Sequence, residues 1–139
     1  MKRLLSFFLS ALMSYGVAAD IFVVMHADAP VEHLSREDVR DLYLGRSKVL
    51  PNGEFVRIYD RGERSDIRAD FFEHLAGMDL RQVDAFWARL VFAGRMLPLE
   101  HVSDATELER FLAADMNTIS YLASPPEQAS LKVVYTAAQ

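Results

Sequence analysis

Five consecutive apolar residues, Ile21-Phe22-Val23-Val24-Met25, place the strongest constraint on what this chain can fold into. Three are β-branched, the run is short for a helix, and no polar residue alternates through it. It therefore reads as a strand buried on both faces. Such a strand needs cover above and below. The rest of the chain offers helical patterns set between further apolar runs, which is the organisation of an α/β domain.

His26 to Pro30 breaks this first strand. Ser35-Arg36-Glu37-Asp38 then opens a helix, with Ser35 as N-cap, acidic residues in the first turn, Val39, Leu42 and Tyr43 on the buried face, and Gly45 as its end. Pro51-Asn52-Gly53 marks a turn, because Asn and Gly accept positive φ, and a second strand is expected from Phe55 to Tyr59. Phe71, Phe72 and Leu75 define a helix that Gly77 stops. Asp79 caps the next one, whose Val83, Phe86, Trp87, Leu90 and Val91 keep helical spacing and are expected in the core, with Phe92 beside them, the alternative being that part of this apolar surface faces a partner. Asp104 and Glu107 read as a capping box ahead of Leu108, Phe111 and Leu112. Strands are expected from Thr118 to Leu122 and from Leu131 to Tyr135, followed by a frayed tail from Thr136. Together these predict a three-layer α/β domain with a mixed, mainly parallel sheet flanked by helices.

The chain begins Met1-Lys2-Arg3, continues with an apolar run from Leu4 to Val17, and reaches Ala19 before its first acidic residue, Asp20. This is the pattern of a secretory signal peptide over residues 1–19, with small Val17 and Ala19 at the positions a signal peptidase reads; an uncleaved anchor is the alternative. Residues 20–139 then form one domain of about 120 residues, enough to bury a core. Cleavage moves the net charge from −5 to −7. No basic run interleaves with aromatics, which excludes nucleic acid and anionic membrane surfaces as partners, and nothing is left to insert in a membrane. With no cysteine there is no disulfide framework, thiolate nucleophile or Cys-ligated metal. The four histidines share no metal-ligand spacing, no serine sits in a nucleophile elbow, and no cofactor motif occurs. No enzyme activity is expected from these residues.

The stretch that carries chemistry runs from Phe55 through Asp60-Arg61-Gly62-Glu63-Arg64-Ser65-Asp66-Ile67-Arg68, read as strand, polar loop and helix N-terminus. In α/β sheets ligands sit at the carboxyl ends of strands, and a helix N-terminus there favours an anion. Arg61 and Ser65 are the side chains placed to help. Arg61 is open to a second reading, a loop charge paired with Asp60, Glu63 or Glu127, and Ser65 to a second role as N-cap. His26, at the end of the first strand, is the histidine whose position would line such a cleft.

The order of motifs resembles that of phosphate-type periplasmic substrate-binding proteins. The resemblance rests on Leu34-Ser35-x-x-x-Val39, Leu42-Tyr43-Leu44-Gly45-Arg46, Pro51-Asn52-Gly53, Arg61-x-x-x-Ser65 before Phe71, Trp87 followed by Phe92-x-Gly94 and Pro98, Ser103-Asp104, and Ile119-Ser120-Tyr121. It implies one lobe of a type 2 periplasmic binding fold, with the second wall of the ligand cleft missing unless a partner supplies it. It also implies that Arg61, Ser65, Asp66 and Ile67 occupy the phosphate-holding segment. Asp66 stands where glycine is usual and Ile67 where threonine is usual, which adds a carboxylate and removes a donor. Two functions are therefore expected: binding of a small, phosphate-like anion or similar solute for a membrane transporter or sensor, or a periplasmic partner module that keeps the fold and binds another protein. Oligomeric state is not encoded in any motif.

Overall fold

The computed structural model describes residues 19–138, so all but the last residue of the expected signal peptide lies outside the described residues. Among the described residues, no helix is long and apolar enough to cross a membrane. The elements run β1 (Ile21–His26), α1 (Arg36–Tyr43), β2 (Arg57–Arg61), α2 (Asp66–Ala76), α3 (Leu80–Phe92), β3 (Glu100–Val102), α4 (Ala105–Ala114), β4 (Thr118–Leu122) and β5 (Leu131–Ala137).

The strands form one mixed sheet in the order β3-β2-β4-β1-β5. β2 pairs parallel with β3 and β4, and β1 pairs antiparallel with β4 and β5, so β1 alone runs against the other four. It sits near the middle of the sheet. Val23, Val24 and Met25 are fully buried, as the unbroken apolar run requires. Val23 and Met25 join Ile58, Ile119, Tyr121 and residues of α1, α2 and α3 in one core, while Val24 joins Tyr59, Leu122 and Leu108 and Leu112 of α4 in another. The layers are three helices, the sheet, and one helix.

The helix ends follow their caps. Ser35 and Asp38 bond each other's backbone reciprocally at the start of α1, and Asp79 and Gln82 do the same at α3. At α4 Asp104 accepts from the backbone N–H groups of Thr106 and Glu107, a one-sided cap in place of the expected box with Glu107. Gly45, just past α1, has φ 68, and a Cβ there would stand 2.9 Å from Leu90 Cδ1, so this exit suits only glycine.

Several expectations are corrected. The second strand covers Arg57–Arg61 instead of Phe55 to Tyr59. Phe55 is used in a small hairpin, bridged to Val49 across the Pro51-Asn52-Gly53 turn, and is 74% exposed. Asp60 and Arg61, expected in a solvated loop, extend the strand because each finds buried hydrogen-bond partners. β3 has no counterpart among the expected strands; it is three residues long with two of them exposed, too little for an apolar pattern. The expected frayed tail is partly strand, since Ile21 pairs with Ala137. In α3 only Val83 and Trp87 are buried, and Phe92, expected in the core, is 92% exposed.

Candidate functional site

The parallel register sets the site. The carboxyl ends of β2, β3 and β4 open on the same edge of the sheet, and the chain turns there from β2 into α2 and from β3 into α4. Two helix N-termini, each the positive end of a helix dipole, thus stand over one rim. Between them lies a cleft of about 310 Å³, lined by Arg61, Ile67, Thr106, Glu109, Ser124 and Glu127 among others.

Arg61 is its floor. The side chain is buried, and its guanidinium donates from Nε to the Val102 carbonyl, from Nη1 to that of Tyr121 and from Nη2 to that of Ser103, each at 3.1 Å. It therefore ties the ends of β3 and β4 to β2. Three of its five N–H groups are used this way, and the charge itself remains beneath the cleft. No pairing with Glu63 or Glu127 is involved in these contacts.

Ser65 is the N-cap of α2: its Oγ accepts from the Arg68 backbone N–H at 3.4 Å and donates to the Gly62 carbonyl at 2.7 Å. Asp66 is exposed in the first turn of α2. Ile67, next to it, is partly buried and reaches both the cleft and the larger core. His26 is not near these residues. Because β1 runs against β4, the end of β1 that carries His26 lies beyond the Met25–Ile119 pairing, at the edge of the sheet where β2 begins. Its Nδ1 accepts from the Asp28 backbone N–H. The structure thus brings Arg61, Ser65, Asp66 and Ile67 to one rim and sets His26 on the opposite one.

Beneath the same loop is a buried charged network built on Asp60 and Arg68. Asp60 and Arg68 are buried, with Arg68 Nε 2.8 Å from Asp60 Oδ2; Arg68 Nη1 also donates to the Glu63 carbonyl and to Asp84 Oδ1. Asp60 Oδ1 accepts from the Tyr121 hydroxyl and from the Arg61 backbone N–H. Burial alone would lower the Arg68 pKa, but Asp60 and then Asp84 outweigh it and raise it. Burial, then the Asp60 charge, pushes the Tyr121 phenol well above its ordinary range. A periodic signal existed: Arg68 stands at i−3, i−4 and i−7 from Phe71, Phe72 and Leu75, on their buried stripe. A second cleft, of about 290 Å³, opens beside this network and is walled by Trp87, Val91, Pro98 and Leu99.

Among the described residues no group of three or more His, Cys, Asp or Glu side chains could hold a metal ion. The cleft offers a buried guanidinium, hydroxyls from Thr106 and Ser124, and carboxylates at its rim. That set can bind a polar solute by hydrogen bonds.

The fold, a mixed five-stranded sheet flanked by four helices, matches a single lobe of a periplasmic-binding-protein-like fold, and the cleft lies at the carboxyl ends of its parallel strands. Solved structures similar to it include a protein described as a phosphate ABC transporter substrate-binding protein from Clostridium perfringens, with bound phosphate (TM-score 0.65, 16% identity, 84% of this chain and 45% of that one). An ABC-type phosphate transport receptor from Vibrio cholerae is similar at TM-score 0.61 and 14% identity, over 84% of this chain and 46% of that one. A protein from Planctomyces limnophilus described as phosphate-binding follows at TM-score 0.52 and 13% identity, over 76% of this chain and 36% of that one. The likeness is one of fold, and the matched region spans less than half the length of each neighbour. No family model matches the chain, and no curated protein matches it in sequence.

Proposed function

We propose that this protein is an exported, non-enzymatic binding module that takes a small oxyanion of the phosphate class in the cleft over Arg61 and serves a membrane transporter or sensor. The observation that carries this reading is the buried Arg61 guanidinium beneath a strand-end cleft beside the N-terminus of α2; the N-terminus of α4, on the same cleft, is already capped by the Asp104 carboxylate. Bound phosphate in the Clostridium perfringens neighbour supports the choice of ligand class. Glu109 and Glu127 on the rim work against a fully ionised ligand. A carboxylate a few ångströms away is repulsive by about 1 to 4 kcal/mol at surface dielectric. A protonated oxyanion, which can donate to a carboxylate, is favoured over a bare one, and with one wall the binding is weak.

Thermal unfolding in the presence of phosphate, sulfate and organic phosphates tests this. Stabilisation that grows with ligand concentration is expected, and it should vanish in Thr106→Glu, which adds a carboxylate to the cleft at a helix position that tolerates one. No stabilisation by any of them at millimolar concentration would overturn the solute reading. The partner-module alternative draws on a different surface, the exposed apolar residues Phe55 and Leu97.

A further inference from the structure

We propose that the protein forms a two-fold dimer through the open β3 edge, with a second copy of this chain covering the apolar surface around Phe55 and Leu97. β3 ends the sheet, so among the described residues no strand pairs with its outer side. Clefts flank the segment that leads into it. One is lined by Phe55, Met96 and Leu97, the other by Trp87 and Val91, and both share Pro98 and Leu99. Phe55 is 74% exposed and Leu97 84%, among the most exposed large apolar side chains of the described residues. Exposed apolar side chains beside an unpaired strand edge form a surface that proteins generally cover or protect.

The charges at its two ends indicate the occupant. Lys48 and Arg57 lie at the end where β2 begins, with Arg57 paired to Glu100 at 2.7 Å. Glu63 and Asp84 lie at the end where β2 finishes, beside the Asp60–Arg68 pair, whose charges cancel. Among the charged residues lining the two clefts, Lys48 is left positive at one end, since Glu100 offsets Arg57, and Glu63 and Asp84 are left in excess over Arg68 and Asp60 at the other. A two-fold axis across the β3 edge reverses one copy against the other, so each Lys48 end meets a Glu63 end, and the two β3 strands run antiparallel with their outer backbone groups paired. The surface is complementary to itself.

Light scattering and sedimentation of the purified protein, from low micromolar to several hundred micromolar, should show a monomer–dimer equilibrium. Leu97→Asp should abolish the dimer with an unchanged melting temperature, since Leu97 contributes little to the monomer core. Lys48→Glu and Glu63→Lys should each weaken the dimer about tenfold, and the two together should restore it, because the exchanged charges again meet their opposites. A protein monomeric throughout, including one that is monomeric and binds a different protein at this face, would overturn the proposal. So would a dimer that survives Leu97→Asp, or one that the double charge exchange fails to restore.

Discussion

Asp60 and Arg68 form a 2.8 Å ion pair in the interior, with side chains 1% and 4% exposed, at the junction between β2 and α2. The pair holds the loop that forms the rim of the strand-end cleft, because Arg68 also grips the Glu63 carbonyl and Asp60 also accepts from the Arg61 backbone N–H. Strand end, loop and helix start are thus one bonded unit.

Removing one partner of this pair leaves the other charge buried. Asp60→Asn and Arg68→Met should each cost about 3 to 5 kcal/mol, the usual loss when a buried ion pair is broken from one side. The double variant should cost less than the sum of the two. Urea denaturation of the three variants measures this; additive losses would show that the two side chains act separately.

The Tyr121 phenol donates to Asp60 while its ring stacks on Phe71 with centroids 3.7 Å apart. Tyr121→Phe keeps the stack and loses the hydrogen bond to a charged acceptor, a cost of about 1.5 to 3 kcal/mol. The same burial and the same carboxylate raise its pKa well above 10 in the folded state. The folded protein then holds the phenolic proton that the unfolded chain releases, so its contribution is complete below about pH 10 and is lost as pH rises further. Tyr43, raised first by burial and then by Asp60, acts in the same direction. Phenolate absorbance should show both ionising only together with alkaline unfolding.

The buried β1, the caps of α1 and α3 and the stripes of α1 and α2 were legible because they rest on local rules: an unbroken apolar run, a capping residue, a helical period. Asp60 and Arg61 were misread as loop because their partners are remote in sequence. Arg61 bonds residues about forty and sixty positions away, and a polar residue with such partners looks, in sequence, like a solvated one. Phe92 failed in the opposite direction, since helical spacing identifies a face and says nothing of whether a neighbour covers it. The position of His26 depended on the direction of β1, which only the pairing reveals.

His74 gives the fold an acid-side dependence. Its Nε2 lies 2.6 Å from the Tyr135 hydroxyl, and Arg36 donates to its backbone carbonyl. Burial, then the Arg36 charge, lowers its pKa below 6.5. The unfolded chain therefore takes up a proton that the folded one resists, so this contribution is full above about pH 6.5 and is lost as pH falls through the folded value. The urea midpoint should drop between pH 7 and pH 5, and His74→Gln should flatten that drop. An unchanged slope in the variant would assign the acid sensitivity to other groups.

Arg61 joins the scaffold to the proposed solute site, and the two roles are separable. Arg61→Lys keeps a positive charge under the cleft but cannot reproduce the planar fork that reaches the Val102, Tyr121 and Ser103 carbonyls together. It should lose about 3 kcal/mol or more, with faster amide exchange at the ends of β3 and β4. Arg61→Gln should lose a similar amount of stability and the charge as well. If the guanidinium serves only as a clamp, Lys and Gln variants will differ little in their response to phosphate. If its charge also acts on the solute, the Lys variant will keep a measurable thermal shift with phosphate that the Gln variant lacks, although both begin from the same weakened fold.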